Sequence, residues 1–423
     1  ASRFSSYEDA IRHYEKALSL LASQPESMER NHRELDLLLK LSAPLMLARG
    51  FASEDMGINN DRMAALLKHI PMEAEMFPIF HAISAYYSMR GQHDKALEMH
   101  REGESLARHS EDELLIRIVN WGYGFSLLWL GKLEEALFHL EKMVEFYDPK
   151  QHHEFHRSYG MDAGVASHLW SSWALWLLGF PERALMRGQK AIDLSHLLDD
   201  LGNQMFALDI TGFLRLFIGE TQGFNGLIQS FEILLAKSPS SPLHAADLTF
   251  LRGFYLVQDD QIEQGITLMT QGIEAFQACG TRSQLNLRKT ILAETLIAQD
   301  HLDLAAQTID QAQALTEETN ERFYQAEVLR VMGRLLEKAD DLKAAETCYQ
   351  NALQIAGQQK AKSLELRAAI NLARLLQGQD RTAEAYQRLA EVYSWFTEGF
   401  QTADLQEAQR LLESLQHNLA SKV

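Results

Sequence analysis

GQHDKALEMH (residues 91–100) and GKLEEALFHL (131–140) share one plan, in which a turn residue is followed five positions later by an alanine inside an amphipathic helix. The plan recurs along the chain, and we use the alanine-like residue as a marker. Successive markers are 40, 48, 40, 41, 40, 40 and 40 residues apart, and they are Ala96, Ala136, Ala184, Phe224, Gly265, Ala305, Ala345 and Ala385. A nearly fixed period of this length indicates a helical repeat array.

A second regularity lies on the helix that precedes each marker. The residue twelve positions before the marker is always small: Ser84, Gly124, Ser172, Gly212, Gly253, Ala293, Gly333 and Ala373. A small residue at that point lets two antiparallel helices cross closely. We therefore predict an all-α fold, an α-α superhelix (solenoid) of about nine to ten helical hairpins with a C-terminal capping helix.

The repeat also predicts how the chain is organised. We expect residues 1–423 to form a single superhelical array. Residues 1–70 would be irregular N-terminal units, 71–400 would hold eight regular repeats, and 401–423 would form the capping helix. Repeat arrays need such a cap, because the last repeat otherwise exposes its apolar face.

The two ends of the chain carry more specific signals. Residues 7–21 read as a lone second helix, and 33–70 read as an imperfect pair with a loop at 55–61. Near the other end, Asp404 and Glu407 have the spacing of a capping box. The apolar residues of this last segment share one helical face: Leu405, Ala408, Leu411, Leu412 and Leu415.

Composition narrows the functional classes. The 423 residues include 40 Lys+Arg and 58 Asp+Glu, and the formal charge of −18 argues against binding nucleic acid, which needs clustered cations. No window has the run of about 18 apolar residues that a membrane helix needs, and no export signal is evident. We expect a cytoplasmic protein. The start at Ala-Ser-Arg suggests a fragment of a longer chain.

Paired helices with these small sites and markers resemble tetratricopeptide repeats in a long version of about forty residues. Whole phrases resemble the C-terminal regions of large bacterial signalling ATPases, in which a class III nucleotide cyclase or winged-helix domain and an AAA-type ATPase come first. More distantly, the tail is similar to the sensor domain of the maltose-regulon activator. The phrases are YGMDAGVASHLWSSWALWLLGFPERAL (159–185), ERFYQAEVLRVMGRLL (321–336), QQKAKSLELRAAINLARL (358–375) and YSWFTEGFQTADLQEAQRLLESL (393–415).

The resemblance implies a region without chemistry of its own, because the family's ATPase and cyclase domains lie upstream of such a tail. The sequence agrees with this. It contains no G-x-x-x-x-G-K-[ST] phosphate loop, no G-x-S-x-G elbow and no paired-cysteine metal signature. We predict no catalytic residue, no cofactor and no metal.

The resemblance also implies that the first helix of each pair lines the concave wall. Residues fifteen, eleven and seven before the marker share one helical face. We call the following candidate binding residues on or beside that face the aromatic wall: Trp121, Phe125, Trp129, Trp170, Trp173, Trp176, Phe213 and Phe254. Such a wall suits an apolar peptide helix or a flat small ligand. The alternative is that a tightly wound array packs these rings as ordinary core.

Towards the C-terminus the same face becomes charged. Arg330 and Arg334 are candidates for gripping an acidic segment or a phosphate. The alternative is a solvated face of salt bridges, since Glu327 and Glu337 lie close enough in sequence to neutralise them.

The 48-residue spacing marks an insertion between residues 146 and 159, and an insertion into a fixed period often carries function. We predict that this loop forms a lip of the groove beside Trp170 and Trp173, through Arg157, Tyr159 and Asp162. A metal site is the alternative, built from His152, His153 and His156.

Three functions are compatible with these patterns. The first is a sensor and interaction region of a signalling ATPase or transcriptional regulator. Its partner would be a protein, a peptide, the upstream ATPase domain of the same chain or a small-molecule effector. The second is a free-standing scaffold for an apolar or helical peptide. The third is an enzyme that uses the histidine loop. We favour the first, because the resemblance to the tails of signalling ATPases covers nearly the whole chain.

Overall fold

The computed structural model describes residues 2–49, 53–70, 77–108, 113–145, 147–151, 161–220, 223–237 and 241–421. In these ranges the chain forms twenty α-helices and one 3-10 turn, with no β-strand, which confirms the predicted all-α class. None of the described helices combines the length and the apolar character needed to cross a bilayer.

Three helices precede the regular pairs, α1 (Ser2–Ala22), α2 (Met28–Arg49) and α3 (Glu54–Leu67). The loop predicted at residues 55–61 is wrong, because these residues belong to α3. The hydroxyl of Ser53 caps this helix by accepting a hydrogen bond from the Met56 amide at 3.4 Å. Polar residues had suggested a loop, but Met56 and Met63 supply a buried helical face.

Eight helical pairs follow, each made of a first and a second helix. The first helices are α4 (Phe77–Met89), α6 (Glu113–Trp129), α8 (Ala163–Leu177), α10 (Leu201–Ile218), α12 (Pro242–Gln258), α14 (Leu285–Ala298), α16 (Gln325–Lys338) and α18 (Lys362–Gly378). The second helices are α5 (His93–Arg108), α7 (Leu133–Glu145), α9 (Pro181–Leu197), α11 (Phe224–Lys237), α13 (Ile262–Ala278), α15 (Leu302–Thr319), α17 (Leu342–Gln359) and α19 (Thr382–Tyr393).

The predicted small residues lie where the two helices of a pair cross. A Cβ added to Gly124 would lie 2.8 Å from Cγ of Leu140, and one added to Gly333 would lie 2.5 Å from the Tyr349 ring. In the first pair the Ser84 hydroxyl lies 2.8 Å from Nε2 of His100. Each of these partners is four residues after its marker, and every marker is buried. The crossings therefore depend on the small residues, as predicted.

A last helix, α20 (Ala403–Ala420), packs on α18 and α19 and buries the predicted face of Leu405, Ala408, Leu411 and Leu415. The predicted capping box is wrong. Thr402 occupies the N-cap position, while Asp404 pairs with Arg367 at 2.8 Å and Glu407 pairs with Arg374 at 2.8 Å. Both carboxylates bind arginines of α18 instead of closing the helix end.

The array closes on itself. Helix α8 contacts α18, which is the first helix five pairs later in the chain. One buried core accordingly includes residues of the pairs from α5 to α9 as well as Phe323 and Leu364. We call α4–α11 the first superhelical turn and residues 280–420 the second. That all of residues 1–423 form one array stays a prediction.

Candidate functional site

The aromatic wall is covered. Trp129 and Trp173 are fully buried, and the ring centroids of Trp129 lie 5.3 Å from those of Trp170 and 6.0 Å from those of Trp173. The expectation of an open groove is therefore wrong for six wall residues, which are at most 4% exposed: Trp121, Trp129, Trp170, Trp173, Trp176 and Phe213. The alternative interpretation, core packing, is correct for these rings.

The two remaining wall residues are only partly buried. Phe125 packs between Trp129 and Trp170, at centroid distances of 5.4 and 5.2 Å. Phe254 packs edge-on against Phe224 at 6.3 Å. They extend the same core towards its margin.

Rings from the second superhelical turn cover the wall. The Phe323 centroid lies 5.0 Å from that of Trp129 and 6.1 Å from that of Trp173, and the two rings of the latter pair are stacked. Next along the wall, Trp176 stacks on Phe217 at 4.6 Å. Tyr324 lies 5.9 Å from Phe217. Two segments five pairs apart thus form one aromatic core.

The two turns are also joined through main-chain groups. The Trp129 carbonyl accepts hydrogen bonds from the amides of Arg322 at 2.7 Å and Phe323 at 3.2 Å. Three more carbonyls at the ends of first helices accept donors from the second turn, which are main-chain amides at Met89, the Ser363 hydroxyl at Trp176 and the Arg367 guanidinium at Phe217. The four junctions, which we call the seam, are Met89 with Arg282 and Ser283, Trp129 with Arg322 and Phe323, Trp176 with Ser363, and Phe217 with Arg367.

Helix geometry explains why the seam forms at these points. The last four carbonyls of an α-helix have no partner within the helix, and the helix dipole makes that end partially negative. Arg282 and Arg322 bring main-chain donors to two of these ends, and the Arg367 guanidinium brings a donor and a positive charge to a third. The second turn therefore acts as a set of caps for the first.

The sequence carries a signal for the seam that the repeat analysis missed. Every turn between the helices of a pair contains a residue with positive φ, five before the marker. In the first four pairs this residue is glycine, namely Gly91, Gly131, Gly179 and Gly219. In the last four pairs it is aspartate, namely Asp260, Asp300, Asp340 and Asp380.

Close approach explains the glycines. A Cβ at Gly131 would lie 2.5 Å from Nε2 of Gln359, and one at Gly179 would lie 2.7 Å from Cβ of Lys362. Both neighbours belong to the second turn. The aspartates are exposed, so a side chain fits there, and Asp tolerates the left-handed conformation better than most residues.

Side chains join the turns around the seam. The most buried contact is between Nε2 of His93 and Oε2 of Glu321, 3.3 Å apart and screened from solvent. In a more exposed position, Arg183 pairs with Glu398 at 3.0 Å. Further exposed contacts link Asp94 with Asn320 and Glu134 with Lys360.

Asp162, predicted as part of a lip of the groove, has a different role in the structure. Asp162 is fully buried at the start of α8, where its carboxylate accepts the Val165 amide at 2.9 Å and the Tyr147 hydroxyl at 2.7 Å. It is a helix cap and not a groove residue. Arg157 and Tyr159 lie outside the described residues.

Arg330 and Arg334 lie in a network of ion pairs. Arg330 donates to Glu294 at 2.7 Å and to Glu327 at 2.8 Å, and Arg334 also pairs with Glu294. Glu327 is buried and binds Arg367 as well. The predicted neutralisation is confirmed for Glu327, although Arg330 is buried and not solvated. Glu337 instead accepts a hydrogen bond from the Tyr349 hydroxyl at 2.7 Å. Burial acts to raise the pKa of Glu294, but Arg330 and then Arg334 outweigh it and lower the pKa to about 2.

A second buried charge cluster lies in α10, α12 and α14. Arg288 donates from Nε to Asp247 at 2.9 Å, and its guanidinium carbon lies 3.8 Å from the centroid of the Phe276 ring. Asp209 lies beside Asp247 and is 4% exposed. Burial, and then the charge of Asp247, raises the pKa of Asp209 well above its ordinary value. One arginine thus faces two carboxyl groups.

Metal chemistry has little support in the described part of the chain. Within it, no three His, Cys, Asp or Glu side chains are grouped so that they could hold a metal ion. The histidines of the alternative interpretation, His152, His153 and His156, lie outside the described residues.

No protein-family model matches the chain, and no curated protein sequence matches it. Solved structures do. The Rap protein in complex with competence and sporulation factor is 11% identical and has a TM-score of 0.60, over 85% of this chain and 98% of that one. A STAND-type signal transduction ATPase with a tetratricopeptide repeat sensor, from Pyrococcus horikoshii, is 13% identical with a TM-score of 0.42, over 94% of this chain and 55% of that one.

The apo form of the quorum sensor NprR from B. thuringiensis is 12% identical and has a TM-score of 0.48, over 87% of this chain and 99% of that one. Of these three structures, the Rap protein alone is similar enough to support an argument, and at 11% identity that argument concerns the fold. Together with the helix crossings, it shows that the chain has the fold of a superhelical array of tetratricopeptide-type helical hairpins.

Proposed function

We propose that this chain is a non-catalytic sensor and protein-interaction region of a regulatory protein, and that the seam is its movable joint. The observation that carries the proposal is that the second superhelical turn covers the aromatic wall and donates hydrogen bonds to carbonyls at the ends of four first helices. A joint of this kind has two arrangements, closed and open. A ligand or partner that prefers one of them shifts the population.

Repeat arrays suit this role because each pair contacts mainly its neighbours, so small rotations add up along the stack. Three junctions of the seam link pairs that lie five apart, and the Phe217 junction links pairs that lie four apart, so the seam responds to the summed rotation. Opening would expose rings such as Trp129 and Phe323, which a partner with an apolar or helical segment could cover. Each ring left uncovered costs about 1.5–3 kcal/mol, which favours the closed arrangement in the absence of a partner.

The phrases at 159–185 and 321–336 resemble tails of signalling ATPases, and this supports an upstream ATPase domain in the cytoplasm as the element that the array controls. A phosphate-binding loop encoded upstream of Ala1 would support this context, and a start codon directly before Ala1 would contradict it.

Native-state hydrogen exchange tests the joint directly. The amides of Arg282, Arg322 and Phe323 report the seam, and the amide of Val331 reports the interior of α16. We expect the seam amides to exchange together, through an opening that needs less free energy and exposes less surface than global unfolding. Exchange of the seam amides only through global unfolding, at the same free energy as Val331, would show a static core and contradict the proposal.

A further inference from the structure

A cavity of about 570 Å³ lies beside the seam and has walls from both superhelical turns. One wall is a face of α5 that includes Asp94 and Glu98. The turn between α6 and α7 supplies Lys132, and the segment before α16 supplies Arg322. The volume is typical of sites for small molecules. A molecule bound here would contact segments that move apart if the seam opens.

The lining is charged with both signs. Asp94 and Glu98 are acidic, whereas Arg101, Lys132 and Arg322 are basic. Basic groups therefore outnumber acidic ones around this cavity, although the chain as a whole has 58 Asp+Glu against 40 Lys+Arg. The arrangement therefore favours a ligand that carries a negative and a positive group together, since each group then meets the opposite charge.

Part of this lining is fixed in position before any ligand binds. The side-chain amide of Asn320 donates to Asp94 at 3.2 Å, and its carbonyl oxygen accepts from Nε of Arg322 at 2.6 Å. The main-chain carbonyl of Arg322 accepts from Gln359 at 2.8 Å. Such preorganisation lowers the entropy lost on binding.

Apolar contacts complete the site. Leu97, which is 5% exposed, and Leu130, which is half-buried, line the cavity between the charged groups. They provide a surface for a short apolar side chain, whereas a large polar or nucleotide-like ligand would make no apolar contact with them.

We propose that this cavity binds a small zwitterion, a free α-amino acid or an unmodified dipeptide with an apolar side chain, which bridges the two superhelical turns. Its carboxylate contacts the basic groups, and its ammonium group contacts Asp94 and Glu98. The inference rests on the proposed function, because it names an effector that favours the closed seam. Binding to the closed form alone stabilises that form by RT ln(1 + [L]/Kd).

The test uses the purified chain, thermal unfolding and calorimetric titration. The probes are leucine, the dipeptide Leu-Leu, N-acetyl-leucine, which lacks the ammonium group, and leucinamide, which lacks the carboxylate. We expect leucine or Leu-Leu to raise the Tm, and both blocked analogues to fail. A response to leucine alone identifies the free amino acid as the ligand, and a response to Leu-Leu alone identifies the dipeptide.

Two variants locate the site. Glu98→Gln and Lys132→Met alter exposed side chains, so both should fold, and each should weaken binding at least about tenfold, as expected for the loss of one charge-assisted hydrogen bond. The matched controls are Glu145→Gln and Lys343→Met, which change exposed charges outside the cavity lining and should bind like the unmodified chain.

Three results would overturn the inference: no Tm response to leucine or Leu-Leu, equal binding of the blocked analogues, or unchanged affinity in both cavity variants. None of them bears on whether the seam opens, which hydrogen exchange measures without any ligand. A seam that never opens would instead overturn the proposed function, whatever binds in the cavity.

Discussion

The main-chain amide of Arg322 donates to the carbonyl oxygen of Trp129 at 2.7 Å, although the two residues belong to helical pairs that lie five apart. This bond places Phe323 against the Trp129 ring and so covers the centre of the aromatic wall. The amides of Arg282 and Ser283 donate to the Met89 carbonyl in the same way, whereas at Phe217 the donor is the Arg367 guanidinium.

Gly179, beside the Trp176 junction of the seam, should be intolerant of a side chain. We expect Gly179→Ala to destabilise the fold by about 2–4 kcal/mol, because it combines a strained left-handed alanine with a clash against Trp395 and Lys362. Asp340→Ala has the same backbone strain without the clash and should cost about 1 kcal/mol. Urea unfolding measures both, and equal losses would contradict close approach at Gly179.

Iodide quenching should distinguish covered tryptophans from accessible ones. Of the six tryptophans, Trp395 is 37% exposed and the others are at most 4% exposed. We expect iodide to quench only the emission of about one tryptophan, and we expect Trp395→Phe to remove almost all of the quenching. Strong quenching that persists in Trp395→Phe would mean that the aromatic wall is open in solution.

The arginine network should be important for stability. Arg330→Met leaves Glu327, which is 1% exposed, without one of its two arginines, and we expect a loss of about 3–5 kcal/mol. Arg388→Met removes an exposed ion pair with Glu384 and should cost less than about 1 kcal/mol. If urea unfolding gave similar losses for the two variants, the buried network would not contribute as described.

Asp209 should make stability depend on pH. Its pKa is raised in the folded state, so its contribution to stability is complete below its unfolded pKa of about 3.9 and is lost as the pH rises towards the folded value. Asp209→Asn resembles the protonated group, and its advantage in stability over the unmodified chain should grow by up to about 1.4 kcal/mol for each pH unit between the unfolded and the folded pKa of Asp209.

The control for this prediction is Asp310→Asn, an exposed position on α15 that should keep the pH profile of the unmodified chain. Urea unfolding between pH 4 and pH 8 provides the comparison. If the difference between Asp209→Asn and the unmodified chain did not grow with pH, Asp209 would not be protonated in the fold.

Local pattern was sufficient to predict the repeats. Gly124 and Gly333 lie at helix crossings because spacing within one pair determines those contacts. The covering of Trp129 by Phe323 was not predictable in this way, since it joins pairs five apart and depends on the pitch of the whole array. Only the change from glycine to aspartate at the turns records that contact in the sequence.

The two wrong predictions for aspartate residues have a similar origin. Asp162 precedes an apolar helical run and could have been recognised as an N-cap, but its place next to the insertion favoured a binding role. Asp404 has the spacing of a capping residue, yet Arg367 on the neighbouring helix attracts its carboxylate. A tertiary ion pair took precedence over a local motif.

Disulfide trapping across the seam tests the central claim, that the second superhelical turn closes over the first. A Cβ at Gly131 would lie 3.3 Å from that of Arg322, close to the roughly 3.5–4.5 Å that a disulfide spans. The double variant Gly131→Cys, Arg322→Cys is made with Cys279 and Cys348 replaced by serine, and with Gln359→Ala to remove the side chain that a Cβ at Gly131 would meet at 2.5 Å. The control variant combines Gly131→Cys with Arg282→Cys in the same background. Arg282 lies at the Met89 junction, where its Cβ is close to Gly91 and not to Gly131.

We expect the first pair to form an intramolecular disulfide readily in the folded monomer, detected as a linked peptide by mass spectrometry, while the control pair stays reduced. Free thiols in the first pair that react with maleimide as fast as those of the control would contradict the closed array.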